Sequence, residues 1–251
     1  MLAASPSFLL AAIPAVLIAA VSKGGLGGGL GIVSVPLMAL VIPPSQAAAI
    51  MLPLLCVMDM IGLRAYRASW DRRVLQAMLP GALLGIVLGS LSFGYLDEAV
   101  VRLLLGVIAT VFAGNYFIGH HAGRPAASHR PLLGGFWGMV AGFTSTLAHA
   151  GGPPANFYLL PLRLDKTVFV GTTVVFFAVT NLAKLLPYAL LGLFEREVMV
   201  AVLALAPLAA AGMLLGVWLH QRLSERLVYT ACYLFVLLTG LKLIHDGLRG
   251  L

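Results

Sequence analysis

Ser22-Lys23-Gly24-Gly25-Leu26-Gly27-Gly28-Gly29 interrupts an otherwise apolar stretch that runs from Phe8 to Val41. Glycine weakens a helix interior by roughly 1 kcal/mol relative to alanine, and a lysine in hydrocarbon is costly. A second break, Thr144-Ser145-Thr146-Leu147-Ala148-His149-Ala150-Gly151-Gly152-Pro153-Pro154, interrupts the corresponding stretch of the second half. Hydrocarbon tolerates non-helical backbone only where it is buried in protein or lines a cavity. The unpaired N–H groups of a broken helix attract anions. Paired breaks in two halves of a membrane chain point to the binding site of a secondary transporter, and these two imply a small anion as cargo.

Composition fixes the surroundings of the breaks. Of 251 residues, 61% are hydrophobic and 10% charged, and the mean hydropathy is +1.01. A soluble domain carries roughly 25% charged residues. Several apolar runs reach the ~20 residues that span a bilayer. The expectation is an all-α integral membrane protein, with residues 1–251 forming one transporter domain. The net charge of +7 does not indicate nucleic acid, because the basic residues sit in short loops between apolar runs, as cytoplasmic loops do. Cys56 and Cys232 lie inside apolar segments and read as small packing residues; neither a metal site nor a cofactor site is expected. No phosphate-binding loop, zinc motif or nucleophile elbow appears, which disfavours an enzyme. The glycine run lacks the preceding strand that a dinucleotide fingerprint requires. Residues 1–21 have the apolar core of a signal peptide without a basic n-region or a convincing cleavage site, and read as a retained first arm.

The chain divides into a broken helix over about 6–41, helices over about 46–66, 74–94 and 98–119, and a polar linker over 120–131. The series then recurs as a broken helix over about 132–162 and helices over about 167–189, 198–219 and 225–246. Repeat one (1–123) and repeat two (132–251) can be matched at single residues. Pro80, Gly85 and Gly89 pair with Pro207, Gly212 and Gly216 at an offset of 127. Upstream the offset is 122 or 123, pairing Ser22 with Ser145, Gly28-Gly29 with Gly151-Gly152, and Tyr66 with Tyr188. An insertion near residues 190–197 reconciles the two. The alternative is chance, since small residues at four-residue spacing commonly serve helix packing.

Orientation follows less directly. Arg64, Arg67, Arg72 and Arg73 crowd one loop, and Arg124 and Arg130 crowd the linker, so both are expected to be cytoplasmic. If each break crosses the membrane once, the halves run parallel; if each folds back, they are inverted. The remaining basic residues favour neither: inversion places Arg163, Lys166, Arg222 and Arg226 inside, and the parallel arrangement places Lys184, Arg196, Lys242 and Arg249 there. More than 30 residues are too many for one crossing of ~20, which favours inverted repeats.

Polar groups within the apolar runs are the candidates for function. Asp59 is the one acid deep in such a run, and Lys23 and Lys184 are comparably placed cations. Thr173, Thr180, Asn181, Lys184 and Tyr188 fall on one helical stripe, which belongs against a cavity or a partner helix. The expected substrate contacts are Ser22, Lys23, Gly27, Gly28, Gly29, Ser145, Thr146, Gly151, Gly152, Asn181, Lys184 and Tyr188. Glycines there let backbone N–H groups approach a ligand. Asp59 and His149 are the candidates for carrying a coupling proton. The plainer alternatives are that Asp59 pairs with a lysine to lock helices, that Lys184 snorkels, that His149 only packs, and that the hydroxyls bond their own backbone.

At these residues the chain resembles the sulfite exporter TauE/SafE family, also called the toluene-sulfonate uptake permease family. The carriers are Lys23 through Gly29 followed by Val35-Pro36-Leu37, Asp59 before a basic loop containing Trp70, and Gly151-Gly152-Pro153-Pro154 leading to Tyr158-Leu159-Leu160. Gly171-Thr172-Thr173, Asn181-Leu182-Ala183-Lys184 and Tyr188 complete the set. The resemblance implies a multi-pass carrier of the bacterial inner membrane, in two repeats of about four helices. It also implies an anionic substrate such as sulfite, a sulfonate or sulfoacetate. The chain departs from the family pattern in Ser145-Thr146-Leu147-Ala148-His149-Ala150, just before the second glycine pair. A secondary transporter, exporting and exchanging protons, is the leading expectation, and a passive anion channel the alternative. A monomer and a homodimer are both compatible with the sequence.

Overall fold

The computed structural model describes residues 5–28, 31, 34–92 and 127–250, with isolated positions between 99 and 117. Gly29 and most of the linker lie outside the described residues, as does most of the helix expected over 98–119. Nine α-helices occur among the described residues: α1 (Pro6–Gly25), α2 (Ser34–Met38), α3 (Pro44–Ala65), α4 (Arg72–Leu91), α5 (Pro131–Ala148), α6 (Gly152–Leu159), α7 (Lys166–Leu190), α8 (Arg196–Arg222) and α9 (Glu225–Gly250). Five of them (α1, α3, α4, α7 and α8) are long and apolar enough to cross a membrane. Starts are set locally. Asp71 accepts from the N–H groups of Arg73 and Val74 (2.8 and 3.1 Å), and Asp165 from those of Thr167 and Val168 (2.8 and 3.4 Å), satisfying donors that a helix N-terminus leaves open.

Both broken segments fold back. The N–H of Ala127, before α5, donates to the carbonyl of Pro161, beyond α6 (2.9 Å). The rings of Trp137 and Phe157 meet at 4.8 Å. Helices α5 and α6 are therefore antiparallel arms whose tip lies at residues 149–151. In the first half, Tyr66 at the end of α3 donates to the carbonyl of Gly24 at the end of α1 (2.5 Å). Helices α1 and α3 thus end at one level, and the chain returns between them through α2.

Two glycine seams tie the halves together. Gly81 and Gly85 of α4 lie against the backbone of Gly135 and Met139 of α5, and Gly138 and Gly142 of α5 against that of Met78 and Ala82. On the other side, a Cβ on Gly24 would stand 2.5 Å from the Met213 carbonyl, and one on Gly216 would stand 2.5 Å from the Val21 carbonyl. Both pairs, α4 with α5 and α1 with α8, run parallel in close backbone contact. In lipid, where burial of apolar surface gives no advantage, such van der Waals contact drives helix association. The outer faces of α4 and α8 carry exposed Leu83, Leu84, Val87, Leu203, Leu214 and Leu215. That apolar surface is suited to acyl chains.

The loop after α3 packs beside the start of α7 and the end of α8. The N–H of Asp71 donates to Thr172 Oγ1 (2.9 Å), the Tyr66 and His220 rings meet edge to face at 5.5 Å, and Lys166 Nζ donates to the Leu223 carbonyl (2.6 Å). Arg64, Arg67, Arg72, Arg73, Arg163, Lys166, Arg222 and Arg226 consequently flank contacts at one end of the molecule.

Candidate functional site

Between the two breaks lies a small cavity lined by Lys23, Gly28, Ser145, His149, Gly152 and Asn181, with Ala19, Gly31, Leu55 and Phe177 supplying apolar wall. Its water-accessible volume is about 30 Å³, enough for about two waters or one compact ion. The first break reaches it through the left-handed residues Gly27 and Gly28 (φ 69° and 78°). That conformation costs a side-chain-bearing residue roughly 1–2 kcal/mol and is why glycine stands there. Gly27 also has no room, since a Cβ would come 2.7 Å from the Phe169 ring; around Gly28 there is open space. The carbonyl of Ser22 accepts from the N–H groups of Leu26 and Gly28 (2.8 and 3.0 Å), closing the end of α1.

Charge is distributed unevenly. Lys23 Nζ lies 2.8 Å from Asp59 Oδ1 but off the line of a directed hydrogen bond, so the contact is an ion pair. Asn181 Nδ2 donates to the other oxygen of Asp59 (2.8 Å). Lys184 is wholly buried and has three acceptors: Ser145 O (3.1 Å), Ser145 Oγ (2.8 Å) and His149 Nδ1 (2.9 Å). Three acceptors match the three N–H bonds of an ammonium. His149 Nε2 faces the Ala48 carbonyl (3.0 Å). A carbonyl accepts only, so the proton of His149 sits on Nε2 and Nδ1 is left to accept from Lys184. Ser145 Oγ already accepts from Lys184, which leaves its O–H to point elsewhere.

Of the residues expected from sequence, Lys23, Gly28, Ser145, His149, Gly152 and Asn181 meet at the cavity wall, with Asp59 and Lys184 bonded to them. Ser22 is buried beside Lys23. Thr146 turns its hydroxyl to the Gly142 carbonyl (2.9 Å), and Tyr188 donates to the Thr146 carbonyl (3.0 Å); both brace the second break. Gly151 packs closely on α5, where a Cβ would come 2.7 Å from the Ala141 carbonyl. Sequence reasoning missed three groups. Phe177 places its ring 5.7 Å from Lys23 Nζ, although it sits on the helix whose polar stripe was singled out. Buried His220, lying near Arg222 at a helix end, reads as surface; it instead contacts the Gly25 carbonyl (3.1 Å) and Thr167 Oγ1 (3.3 Å). Asn156 is buried one turn beyond Gly152, with neither amide atom hydrogen-bonded, and no motif marks it.

A family model described as Sulfite exporter TauE/SafE matches residues 12–243. The chain belongs to this family. The match takes in both breaks, Asp59 and the polar stripe of α7. TauE/SafE proteins are membrane transporters for sulfur-containing anions, and membership places this chain among multi-pass membrane transporters rather than enzymes. No curated protein and no solved structure matches the chain. For a TauE/SafE protein the cavity has a fitting composition: one lysine in its wall and a second behind Ser145, hydroxyl and amide groups, and glycine backbone.

Proposed function

We propose that this TauE/SafE protein is a secondary transporter that exports a small sulfur-containing oxyanion, such as sulfite, a sulfonate or a sulfoacetate-like compound, across the inner membrane of a bacterium. The observation that carries the reading is the cavity between two helix breaks, walled by Lys23, Ser145, His149 and Asn181 and backed by Lys184. Oxyanion oxygens would accept from Ser145 Oγ–H and from the backbone N–H group of Gly152. The coupling proton belongs on Asp59, because neutralising it would release Lys23 from an ion pair; both nitrogens of His149 are already engaged, which suits a tautomer-fixed scaffold.

In this reading the protein is two inverted repeats. Supporting it, Tyr66 to Gly24 and Tyr188 to Thr146 are tyrosine-to-carbonyl hydrogen bonds of equal span, 42 residues each. Asp59 and Asn181, which bond each other, are 122 residues apart, the same offset that relates the two tyrosines. The matched Gly85 and Gly212 face the first arm of the opposite half. Inversion is supported by the fold-back of both breaks and by Arg163, Lys166 and Arg222 lying at the same end as Arg64, Arg67, Arg72 and Arg73, the end that positive-inside orientation makes cytoplasmic. A cavity this small favours a carrier over an open anion channel. The test is uptake of labelled sulfite or methanesulfonate into proteoliposomes with an imposed pH gradient. Accumulation above the external concentration is expected; equilibration without accumulation, insensitive to the gradient, would overturn the proton-coupled transporter in favour of a passive pathway.

A further inference from the structure

From the placement of charge around the cavity we infer that the site selects singly charged oxyanions over doubly charged ones. The inference rests on the reading of this cavity as the substrate site. Lys23 and Asp59 form an ion pair at 2.8 Å and cancel. Lys184 bonds only to neutral groups, two oxygens of Ser145 and the unprotonated nitrogen of His149. Among the described residues no other carboxylate pairs with either lysine, and Asn181 is neutral. The buried set therefore carries one net positive charge. A lone charge in low dielectric is strongly unfavourable, and one negative charge in the cavity neutralises it. A second negative charge, as sulfoacetate carries, would leave the same imbalance with opposite sign, so among the proposed substrates the rule favours a simple sulfonate or hydrogensulfite.

Lys184 does not line the cavity itself. It stands behind Ser145, whose Oγ accepts from the ammonium at 2.8 Å and whose O–H is free to donate onward. Polarised by the ammonium, that hydroxyl becomes a stronger donor to an oxyanion. Lys184 is thus a positioning and charge-setting residue, and Ser145 is the group that touches substrate. Asp59 sets the valence: removing its charge while keeping its shape would leave Lys23 uncompensated and raise the site to two positive charges.

Methanesulfonate and sulfate test the rule, since they are nearly alike in shape and keep charges of one and two near neutral pH. Equilibrium binding of each is measured by calorimetry on the purified full chain in detergent. Wild type is expected to prefer methanesulfonate by roughly 30-fold or more, the effect of one unmatched buried charge. Asp59→Asn should move the preference toward sulfate, and Lys184→Met should remove methanesulfonate binding. Sulfate bound as tightly as methanesulfonate by wild type overturns the charge rule and leaves the sulfur-oxyanion reading standing, and this arm needs no variant to fold. A folded Lys184→Met protein with wild-type methanesulfonate affinity, or an Asp59→Asn protein with unchanged preference, overturns it as well. A parallel pair, acetate and carbonate-free malonate, separates the two readings. Acetate alone among the four anions bound by wild type would support the charge rule while defeating the sulfur-oxyanion reading.

Discussion

The two breaks share one scaffold and differ in what they do with charge. Each ends a helix arm whose late carbonyl, Gly24 or Thr146, is held by a tyrosine from the end or last turns of a long helix. The first break carries its lysine within the glycine run, and Asp59 compensates it. The second carries no charge of its own; it presents Ser145 and His149 to Lys184, a lysine on α7 with no carboxylate partner among the described residues. Equivalent backbone thus yields a locked side and a charged side. That asymmetry adds one uncompensated positive charge to the backbone and hydroxyl donors around the cavity, which two compensated lysines would not supply.

The largest expected effect comes from breaking the locked side. Asp59→Leu strands Lys23 and should cost about 3–5 kcal/mol of stability, read as loss of thermal stability in detergent. Lys184→Met, by contrast, removes a charge that nothing balances. Replacing it with an apolar side chain of similar length removes a buried ammonium but leaves Ser145 O and His149 Nδ1 without their donor, so it should cost about 1–3 kcal/mol, less than Asp59→Leu, while eliminating transport. Equal destabilisation by the two substitutions would erase the distinction between the breaks.

The seams sharpen the comparison next. A valine at Gly24 or at Gly85 would drive its side chain into the backbone of α8 or α5. Each should cost about 1–3 kcal/mol or more, and the two should fall together if the seams are equivalent. Tyr66→Phe and Tyr188→Phe each leave one buried carbonyl without its donor. Roughly 1–2 kcal/mol is expected from each, measurable as matched shifts in unfolding midpoint, and a large shift in only one would show that only that break depends on its tyrosine. Gly28 should give the smallest effect. Its Cβ position is open, so Gly28→Ala suffers only the left-handed backbone, about 1 kcal/mol. Gly28→Asn should recover most of that, because asparagine tolerates this conformation; failure of asparagine to recover transport would mean that the space itself is needed by substrate.

Much of this was readable from sequence because membrane burial makes polarity informative. Asp59, Lys23, Lys184 and Asn181 stood out among apolar neighbours, and hydrocarbon leaves such groups few places to go except toward one another. The matched Gly85 and Gly212 were readable for the same reason, since a glycine in a membrane helix usually marks a close neighbour. The charge pairing was not. Nothing in residue order says that Asp59 meets Lys23 rather than Lys184, because that depends on how far each arm reaches before it turns. Sequence likewise treated Thr146, Gly151 and Tyr188 as substrate contacts; helix phase and packing turn the two hydroxyls to backbone carbonyls and set Gly151 close against α5. His220 and Asn156 lacked any signal, one because it lies near a basic helix end and the other because a single amide in an apolar run has many readings.

The most direct test of the central claim, that one anion occupies the cavity between the breaks, is exchange of labelled methanesulfonate by purified protein in liposomes, with wild type and Lys184→Met measured side by side. Wild type should exchange the label for internal unlabelled methanesulfonate, and the folded variant should not. Exchange at the wild-type rate by a folded Lys184→Met protein would contradict the claim.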